Sequence, residues 1–567
     1  MADILAGELV VKALKENGIE TAFGLVGNQI SPIMVYAEKY GIEIIGTRHE
    51  QGAILMADGW AQVKRSTGVA MVSGGPGFSN CVSSIIKAYF AQTPILIIVG
   101  AAVTSNRECN ELQDLEQVGF IKQYTKWSAT IGNPLRIKEY IAKALYLAKT
   151  GKRGPVVLEI PINVLKTVIE EEQLIEFNKI NASLSVNESG LSIGQINFIV
   201  QQLNRAERPV LVVGDSAYYA FAEESLKDFA ECVKVPIYTI GKARGMLQDT
   251  HPCCFGNGRV LDAGAQLYAL ENADFIFCLG VTDNYEMNLS SCDLYDKNAV
   301  VVNVDLEFQE NIFRDQKLHL FFQANVCSAL KQVNALIQQN GYKIDCNKWM
   351  VQIAEQSEKI NQGFSKDSGN GRLHPLYIIK SISRVIQEMD SIVVLDGSNA
   401  MFWGTYGFEF NQIGAFINGP DGNLGPMGCG LALALGAKAA AREKKVVLYT
   451  GDGSFGFNIC ELDTAKKYNL PITIVVHNDK AWGLCKSTQE ILYGSTANVD
   501  LELVRYDQIV KAFGGEGMLV EELTDGLETK ITDVLKSDEL FCFNILFPEK
   551  IFSPGTIAFN KMLEKMK

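Results

Sequence analysis

Short β-branched runs alternate with helical patterns along the whole of this 567-residue chain, and that alternation restricts the fold more than any other feature. It implies parallel sheets with helices on their faces. Three blocks emerge. The first, 1–175, contains the runs TAFGLVG, IEIIGTRHE, GVAMVSG, TPILIIVG and GPVVLEIP. A polar tract, EEEQLIEFNKINASLSVNESG, then reads as a linker. The second block, 190–345, contains RPVLVVGDS, VPIYTIGKARG, ADFIFCLGV and AVVVNVD. Another tract, EKINQGFSKDSGNGRLHP, precedes a third block, 370–550, with SIVVLDGSN, KKVVLYTGDGS, LPITIVVHND and FCFNILFP; residues 551–567 form a C-terminal tail. The fold class predicted is α/β, with three doubly wound parallel-sheet domains. The first and third blocks share size and pattern, which suggests a duplication.

Composition narrows the function. The net charge of −13 leaves no excess of Lys and Arg to offset phosphates, which argues against a nucleic-acid or anionic-membrane surface. The thirteen cysteines are scattered without a C-x-x-C, as expected of free thiols in a reducing compartment. The opening MADILAGELVVKALKENG reads as an amphipathic helix and not a signal peptide, so Asn181 in its N-x-S sequon carries no weight. No apolar run is long enough to span a bilayer. The expectation is a cytoplasmic protein acting on small molecules.

GDGSFG, Gly451 to Gly456, is the most informative stretch. It follows an apolar run and leads into a helical pattern, as a phosphate-binding turn does. A glycine-rich turn without a ligand and a Rossmann dinucleotide site are both available readings; the next strand, ITIVVHND, even ends in the acid a ribose would need. Yet Asp452 stands where a phosphate should approach. A carboxylate about 4 Å from a phosphate is repelled by several kcal/mol at an effective dielectric near 20. The turn fits a phosphate only with a cation between them, and Mg²⁺ accepts one or two carboxylates plus phosphate oxygens. Asp479, 27 residues on, ends the neighbouring strand and supplies the second acid. The N–H groups of Gly453 and Ser454 then meet the diphosphate at a helix start.

GDG followed by a run ending in Asn478-Asp479 resembles the cofactor motif of thiamine-diphosphate enzymes. The resemblance implies that Asp452, Asp479 and the main-chain carbonyl of Ala481 hold Mg²⁺. Relatives usually have Asn where this chain has Asp479, so the site carries one extra negative charge. The segment TRHEQGA is similar to the RHE-x-x-A signature of the acetolactate-synthase branch, and SGGPGFSN to its S-G-P-G-x-x-N turn. Alone, Glu50 at a helix start is explained by the helix dipole. The resemblance instead makes it the acid that hydrogen-bonds the cofactor's pyrimidine ring, letting that ring act as base. VLDGSNAMFW resembles the loop gripping the diphosphate through Gly397, Ser398 and Asn399. In GPMGCG, Met427 matches the apolar wedge beneath the bent cofactor, although a core methionine has the same appearance. The three blocks become pyrimidine-binding, central Rossmann-like and diphosphate-binding domains.

GELVV, TRHE, TKW and GDGS with a following WG resemble benzaldehyde lyase; likeness to acetolactate synthase and 2-hydroxyacyl-CoA lyase extends through nearly the whole chain. The histidines His49, His251, His319, His374 and His477 include no adjacent pair of the pyruvate-decarboxylase kind. Asn28, Gln29 and Gln113 would instead line the pocket with amides, which hold oxyanions but transfer protons poorly; ordinary loop capping by the same residues is the plainer reading. The segment KAWGLCKSTQEILYG is expected to close over the site, with Thr488 near the place of a substrate-selecting tryptophan. RPVLVVGDS and YTIGKARGMLQDTHP resemble the FAD- or ADP-binding domain of relatives, and either nucleotide is an open expectation. The activity implied is C–C lysis or ligation of 2-keto acids, aldehydes or 2-hydroxy ketones by a homodimer or homotetramer, Glu50 reaching the other chain. The rival from another class is a nucleotide-binding regulatory protein.

Overall fold

The computed structural model describes residues 3–170, 189–262, 264–282, 284, 286–287, 295–296, 298–308, 319–361, 373–548 and 551–565. The linker tract with Asn181 and most of the tract before His374 lie outside them. The chain forms two compact units: Met1–Val186 with Gly419–Glu443 and Gly456–Ile472, and Asn187–Asn418 with Lys444–Phe455 and Thr473–Lys567.

The first unit holds a parallel sheet of β1 (Thr21–Gly24), β2 (Glu43–Gly46), β3 (Gly68–Val72), β4 (Ile95–Ala101), β5 (Trp127–Thr130) and β6 (Pro155–Pro161), in the order β2-β1-β3-β4-β6-β5. Its middle strands are buried along their whole length, which explains their unbroken apolar runs.

The second unit holds two six-stranded sheets among its described residues. One comprises β7 (Pro209–Val213), β8 (Ile237–Thr239), β9 (Cys254–Asn257), β10 (Phe275–Leu279), β11 (Val300–Asp305) and β12 (His319–Gln323), ordered β9-β8-β7-β10-β11-β12. Numbered within the sheet, that is the Rossmann order 3-2-1-4-5-6. The other comprises β13 (Ser391–Leu395), β14 (Phe416–Asn418), β15 (Lys445–Gly451), β16 (Thr473–Asn478), β17 (Glu516–Val520) and β18 (Phe541–Leu546), ordered β14-β13-β15-β16-β18-β17. Numbered in the same way, this is the order of the first sheet, 2-1-3-4-6-5, and every pairing in the three sheets is parallel. The likeness of the first and third blocks extends to topology.

Among the covering helices are α1 (Glu50–Lys64), α2 (Asn399–Gly407), α3 (Gly430–Ala440), α4 (Glu461–Lys467), α5 (Gly483–Tyr493) and α6 (Pro554–Lys565). The last turns most of the expected tail into a helix. In the first unit α1 and α3 touch backbone to backbone. A Cβ on Gly59 would lie 2.2 Å from the Leu433 carbonyl oxygen, and one on Gly436 2.0 Å from that of Met56. Beside this contact the wholly buried Lys87 Nζ lies 2.7 Å from Asp58 Oδ2, and Gln62 donates to Oδ1 at 2.8 Å. The described cysteines are free thiols, and no described helix is long and apolar enough to cross a membrane.

Candidate functional site

In the second unit, β13, β15 and β16 are neighbours, and the loops leaving their C-terminal ends converge. The chain turns toward β14 after β13 and toward β16 after β15, so the loops flank a switch point of the sheet. Gly397 has φ +87°, and a Cβ there would stand 3.1 Å from both Gly451 N and Ser454 Oγ. A Cβ on Gly453 would strike the Trp482 ring at 2.5 Å. Glycine is therefore required at both places by close approach.

Asp452 and Asp479 are each 4 % exposed. Burial is the main cause that pushes both carboxyls above the usual range, and the charge of Asp479 adds to it at Asp452. No ion pair reaches either acid among the described residues; Lys486, whose charge is felt at Asp479, pairs with Asp500 at 2.6 Å. Two buried acids without an ion pair are costly, and a divalent cation relieves that cost. Lys480, the residue after Asp479, has φ +51°, a strained value for a side-chain-bearing residue. Ala481 pairs with Asp500 as an isolated antiparallel bridge, through Trp482 N–H to Val499 O at 2.8 Å and Leu501 N–H to Lys480 O at 2.7 Å. That pattern leaves Ala481's own N–H and C=O pointing away from the bridge. Its N–H meets the Asp479 carboxylate. Two carboxylates and a main-chain carbonyl suit a hard oxygen-seeking cation.

Asn399, expected at the diphosphate loop, donates to Asp479 Oδ2 at 3.3 Å and accepts from the Thr556 hydroxyl of α6 at 3.0 Å. Thr556, Tyr506 and Asn560 are side chains around this edge that the sequence reading missed. Tyr506 donates its hydroxyl to the Asp452 carbonyl at 2.7 Å. Thr488 does not stand alone: its hydroxyl donates to Asn560 Oδ1 at 2.6 Å, and Asn560 donates to Ser487 at 3.0 Å. Helix α6 is thus laced to both α2 and α5.

In the first unit, Glu50 opens α1, whose start is capped by His49 Nδ1 accepting from Gln51 N–H at 3.1 Å. Glu50 is half-buried, and Asn80 donates to its Oε2 at 2.9 Å. The glycine turn Ser73–Gly75 lies alongside. Gln29 is buried, and its amide oxygen accepts from Gly74 N–H at 2.7 Å and Ser73 Oγ at 3.2 Å. Gln113 sits over the same turn with φ +63°, so close that a Cβ on Gly75 would meet its Cβ at 2.8 Å. Asn28 is exposed. Two of the three amides therefore gather at one turn, and one of those already spends its oxygen on backbone. The buried Gln117, four residues beyond Gln113 at the start of a short helix, accepts from Gly75 N–H at 3.1 Å and donates to Glu159 at 2.7 Å. Met427 is half-buried in a loop held by Asn458, which donates to the Gly428 carbonyl at 2.6 Å. Gly428 has φ +78° and abuts Phe457, whereas Gly425, also at positive φ, has nothing within 4 Å of a Cβ.

The switch point of the central sheet is built differently. Asp215 follows β7 where a dinucleotide's pyrophosphate would lie. Its Oδ1 accepts from Lys242 N–H at 2.7 Å and its Oδ2 pairs with Lys242 Nζ at 2.8 Å. A Cβ on Gly241 would fall 2.3 Å from Asp215. Among the described residues that position is taken by this ion pair.

Known proteins resemble this chain over most of its length. Residues 5–120, 196–333 and 396–545 match the thiamine pyrophosphate enzyme N-terminal TPP binding, central and C-terminal TPP binding domains. The chain is 29 % identical to 2-hydroxyacyl-CoA lyase 2 of Caenorhabditis elegans, over 97 % of this chain and 91 % of that protein. It is 28 % identical to the protein of the same name from Danio rerio, over 97 % and 93 %. It is also 29 % identical to the acetolactate synthase isozyme 3 large subunit of Escherichia coli (strain K12), over 94 % and 93 %. With all three domains matched in order and relatives similar over nearly the whole chain, the chain is a thiamine-diphosphate-dependent enzyme of the family that includes acetolactate synthase and 2-hydroxyacyl-CoA lyase.

Proposed function

We propose that this enzyme is a Mg²⁺-dependent C–C lyase or carboligase acting on 2-keto acids, aldehydes or 2-hydroxy ketones. The observation that carries the reading is the pair of buried acids Asp452 and Asp479, neither in an ion pair among the described residues, at the ends of adjacent strands. Mg²⁺ would be held by these two carboxylates and the Ala481 carbonyl. When bound, thiamine diphosphate would supply a nucleophilic carbon that adds to a carbonyl carbon and a cationic ring that takes up the electron pair of the C–C bond then broken. The chain's own part is placement. Gly453 and Ser454 offer main-chain N–H groups to the diphosphate, with Ser398 and Asn399 beside them. Met427 supports the rings. Glu50 holds a proton at the pyrimidine nitrogen, and Asn80 fixes its tip. Gln113, Asn28 and the NH₂ of Gln29 are the donors for a substrate oxygen; amides steady that charge without competing for protons.

The domain plan proposed is 1–175, 190–345 and 370–550 with the segment 551–567, in a homodimer or a tetramer of such dimers. The Lys242–Asp215 pair argues against FAD or ADP at the central switch point, and neither is part of the proposal. Names of relatives favour two specific reactions within the class: synthesis of acetolactate and cleavage of 2-hydroxyacyl-CoA. Calorimetric titration with thiamine diphosphate and Mg²⁺, with the cofactor and a chelator, and with NAD tests the cofactor reading. Saturable binding is expected in the first arm alone; binding of NAD alone would point to a nucleotide-regulated protein instead. Parallel assays with pyruvate, benzoin and a 2-hydroxyacyl-CoA then identify the substrate, and turnover of none of them contradicts the proposed class.

A further inference from the structure

Helix α4 turns one polar face toward the loop that presents Glu50. Glu461, Thr464 and Tyr468 follow one another at i, i+3 and i+7, which places three side chains on one side of a helix. Glu461 is 1 % exposed. Its Oε1 accepts from Arg48 N–H at 3.0 Å and His49 N–H at 3.1 Å; its Oε2 lies 3.2 Å from the same Arg48 N–H and accepts from the Thr464 hydroxyl at 2.7 Å. Tyr468 Oη accepts from Gly46 N–H at 2.8 Å. Thr47 N–H donates to the Gly24 carbonyl at 3.0 Å. Thus every main-chain donor from Gly46 to His49 is taken, and three of the four by α4.

The two glycines flanking the turn make this approach feasible. A Cβ on Gly46 would stand 2.9 Å from Tyr468 Oη, and one on Gly52 2.4 Å from Glu461 Oε1. Backbone N–H groups converging before a helix start form an anion site, and here the protein fills it with its own carboxylate. The site lies immediately before Glu50, so it governs where the helix begins and in which direction the Glu50 side chain leaves it. Asn80 holds only the tip of that side chain.

We propose that Glu461 is the positioning residue for Glu50, setting the aim of that carboxylate through the main chain of residues 46–49. The inference rests on the role assigned to Glu50 above. Structural capping alone would stabilise the turn without affecting catalysis, and the two can be separated.

Hydrogen–deuterium exchange by mass spectrometry on the cofactor-free protein is compared for wild type, Glu461→Gln, Glu461→Ala and Gly52→Ala. In Glu461→Ala, exchange across residues 46–53 should rise about tenfold or more while peptides of β3 to β6 hold their protection. On the loaded enzyme, kcat should fall about 10–100-fold, with KM and cofactor Kd within about threefold and the acid limb of the kcat–pH profile displaced. Gly52→Ala should reproduce both effects by displacing the carboxylate. Glu461→Gln should retain part of each, because an amide oxygen still accepts; these two variants carry the test if Glu461→Ala does not fold. Unchanged exchange at 46–53 overturns the proposal, and so does local exchange with an unmoved kcat and pH profile. A Glu50→Gln variant with full turnover would instead remove the role of Glu50 and leave the exchange result standing.

Discussion

Asn399 Nδ2 lies 3.3 Å from Asp479 Oδ2, so the second acid of the proposed metal site takes its orientation from the loop after β13, a different strand from its own. The Asn399 oxygen is held in turn by Thr556 at 3.0 Å. Partners of this kind typically affect metal affinity by 10–100-fold when removed. Asn399→Ala should weaken Mg²⁺-dependent cofactor binding by about that factor, and Thr556→Ala by less, in calorimetric titration. Equal affinity in both variants would show that Asp479 is oriented without them.

Asp452→Asn should move two measurements in opposite directions. Burial raises the proton affinity of Asp452, and the charge of Asp479 raises it further, so the ionised form is penalised in the cofactor-free protein. Removing it should raise the apo melting temperature by about 2–5 °C. The additional stabilisation by Mg²⁺ and thiamine diphosphate should vanish, because there is no longer a bridge to the ligand. Thermal melts with and without both ligands test the pair of signs together.

Gly59→Ala tests the backbone contact between α1 and α3. Helix propensity alone would favour alanine by about 1 kcal/mol. The added Cβ would lie 2.2 Å from the Leu433 carbonyl oxygen, which forces the helices apart. We expect a net loss of about 1–3 kcal/mol in denaturant unfolding. A gain would mean that the contact relaxes freely.

His374 should make the protein sensitive to mild acid. It is 8 % exposed, packs edge-on against Trp403 at 5.0 Å, and accepts Leu376 N–H at 3.2 Å as a helix cap. Burial holds its imidazole below the ordinary histidine value. The unfolded chain takes up a proton near pH 6.5 while the folded one does not, so stability falls as pH drops below that point, by at most about 1.4 kcal/mol per pH unit. His374→Asn keeps a capping oxygen and removes the titration. Urea unfolding at pH 7.5 and 5.5 should show a smaller loss in the variant, by about 1 kcal/mol; identical losses would remove His374 as the cause.

The strands that the sequence reading missed share one property. Trp127–Thr130, Cys254–Asn257, His319–Gln323, Phe416–Asn418 and Glu516–Val520 all lie at sheet edges. An edge strand is paired on one side only. Three of these are at best half-buried along their length, so the apolar runs that betray the interior strands are absent. Glu43–Gly46 was the one edge read correctly, because IEII keeps the β-branched signature. At the candidate site, GDGSFG and Asp479 were legible through their charge, which conflicts with a bare phosphate turn. Glu461, Thr464 and Tyr468 were not. Polar residues at helical spacing look like a solvent face, and only tertiary packing reveals what they touch. Gln29 is legible only in part: a glutamine in a glycine-rich loop is equally suited to substrate and to backbone, and its oxygen goes to Gly74, which leaves its NH₂ for the proposed role.

The first and third sheets thread their strands in one and the same sequence, yet the acids proposed to act at their loops differ: Glu50 for a proton in one, Asp452 with Asp479 for a metal ion in the other. A scaffold that carries such different chemistry on interchangeable plans separates durability from specialisation. Alterations of reactivity can then accumulate in the strand-to-helix loops while the interior stays as it was, and a search for variants with new substrates is best confined to those loops.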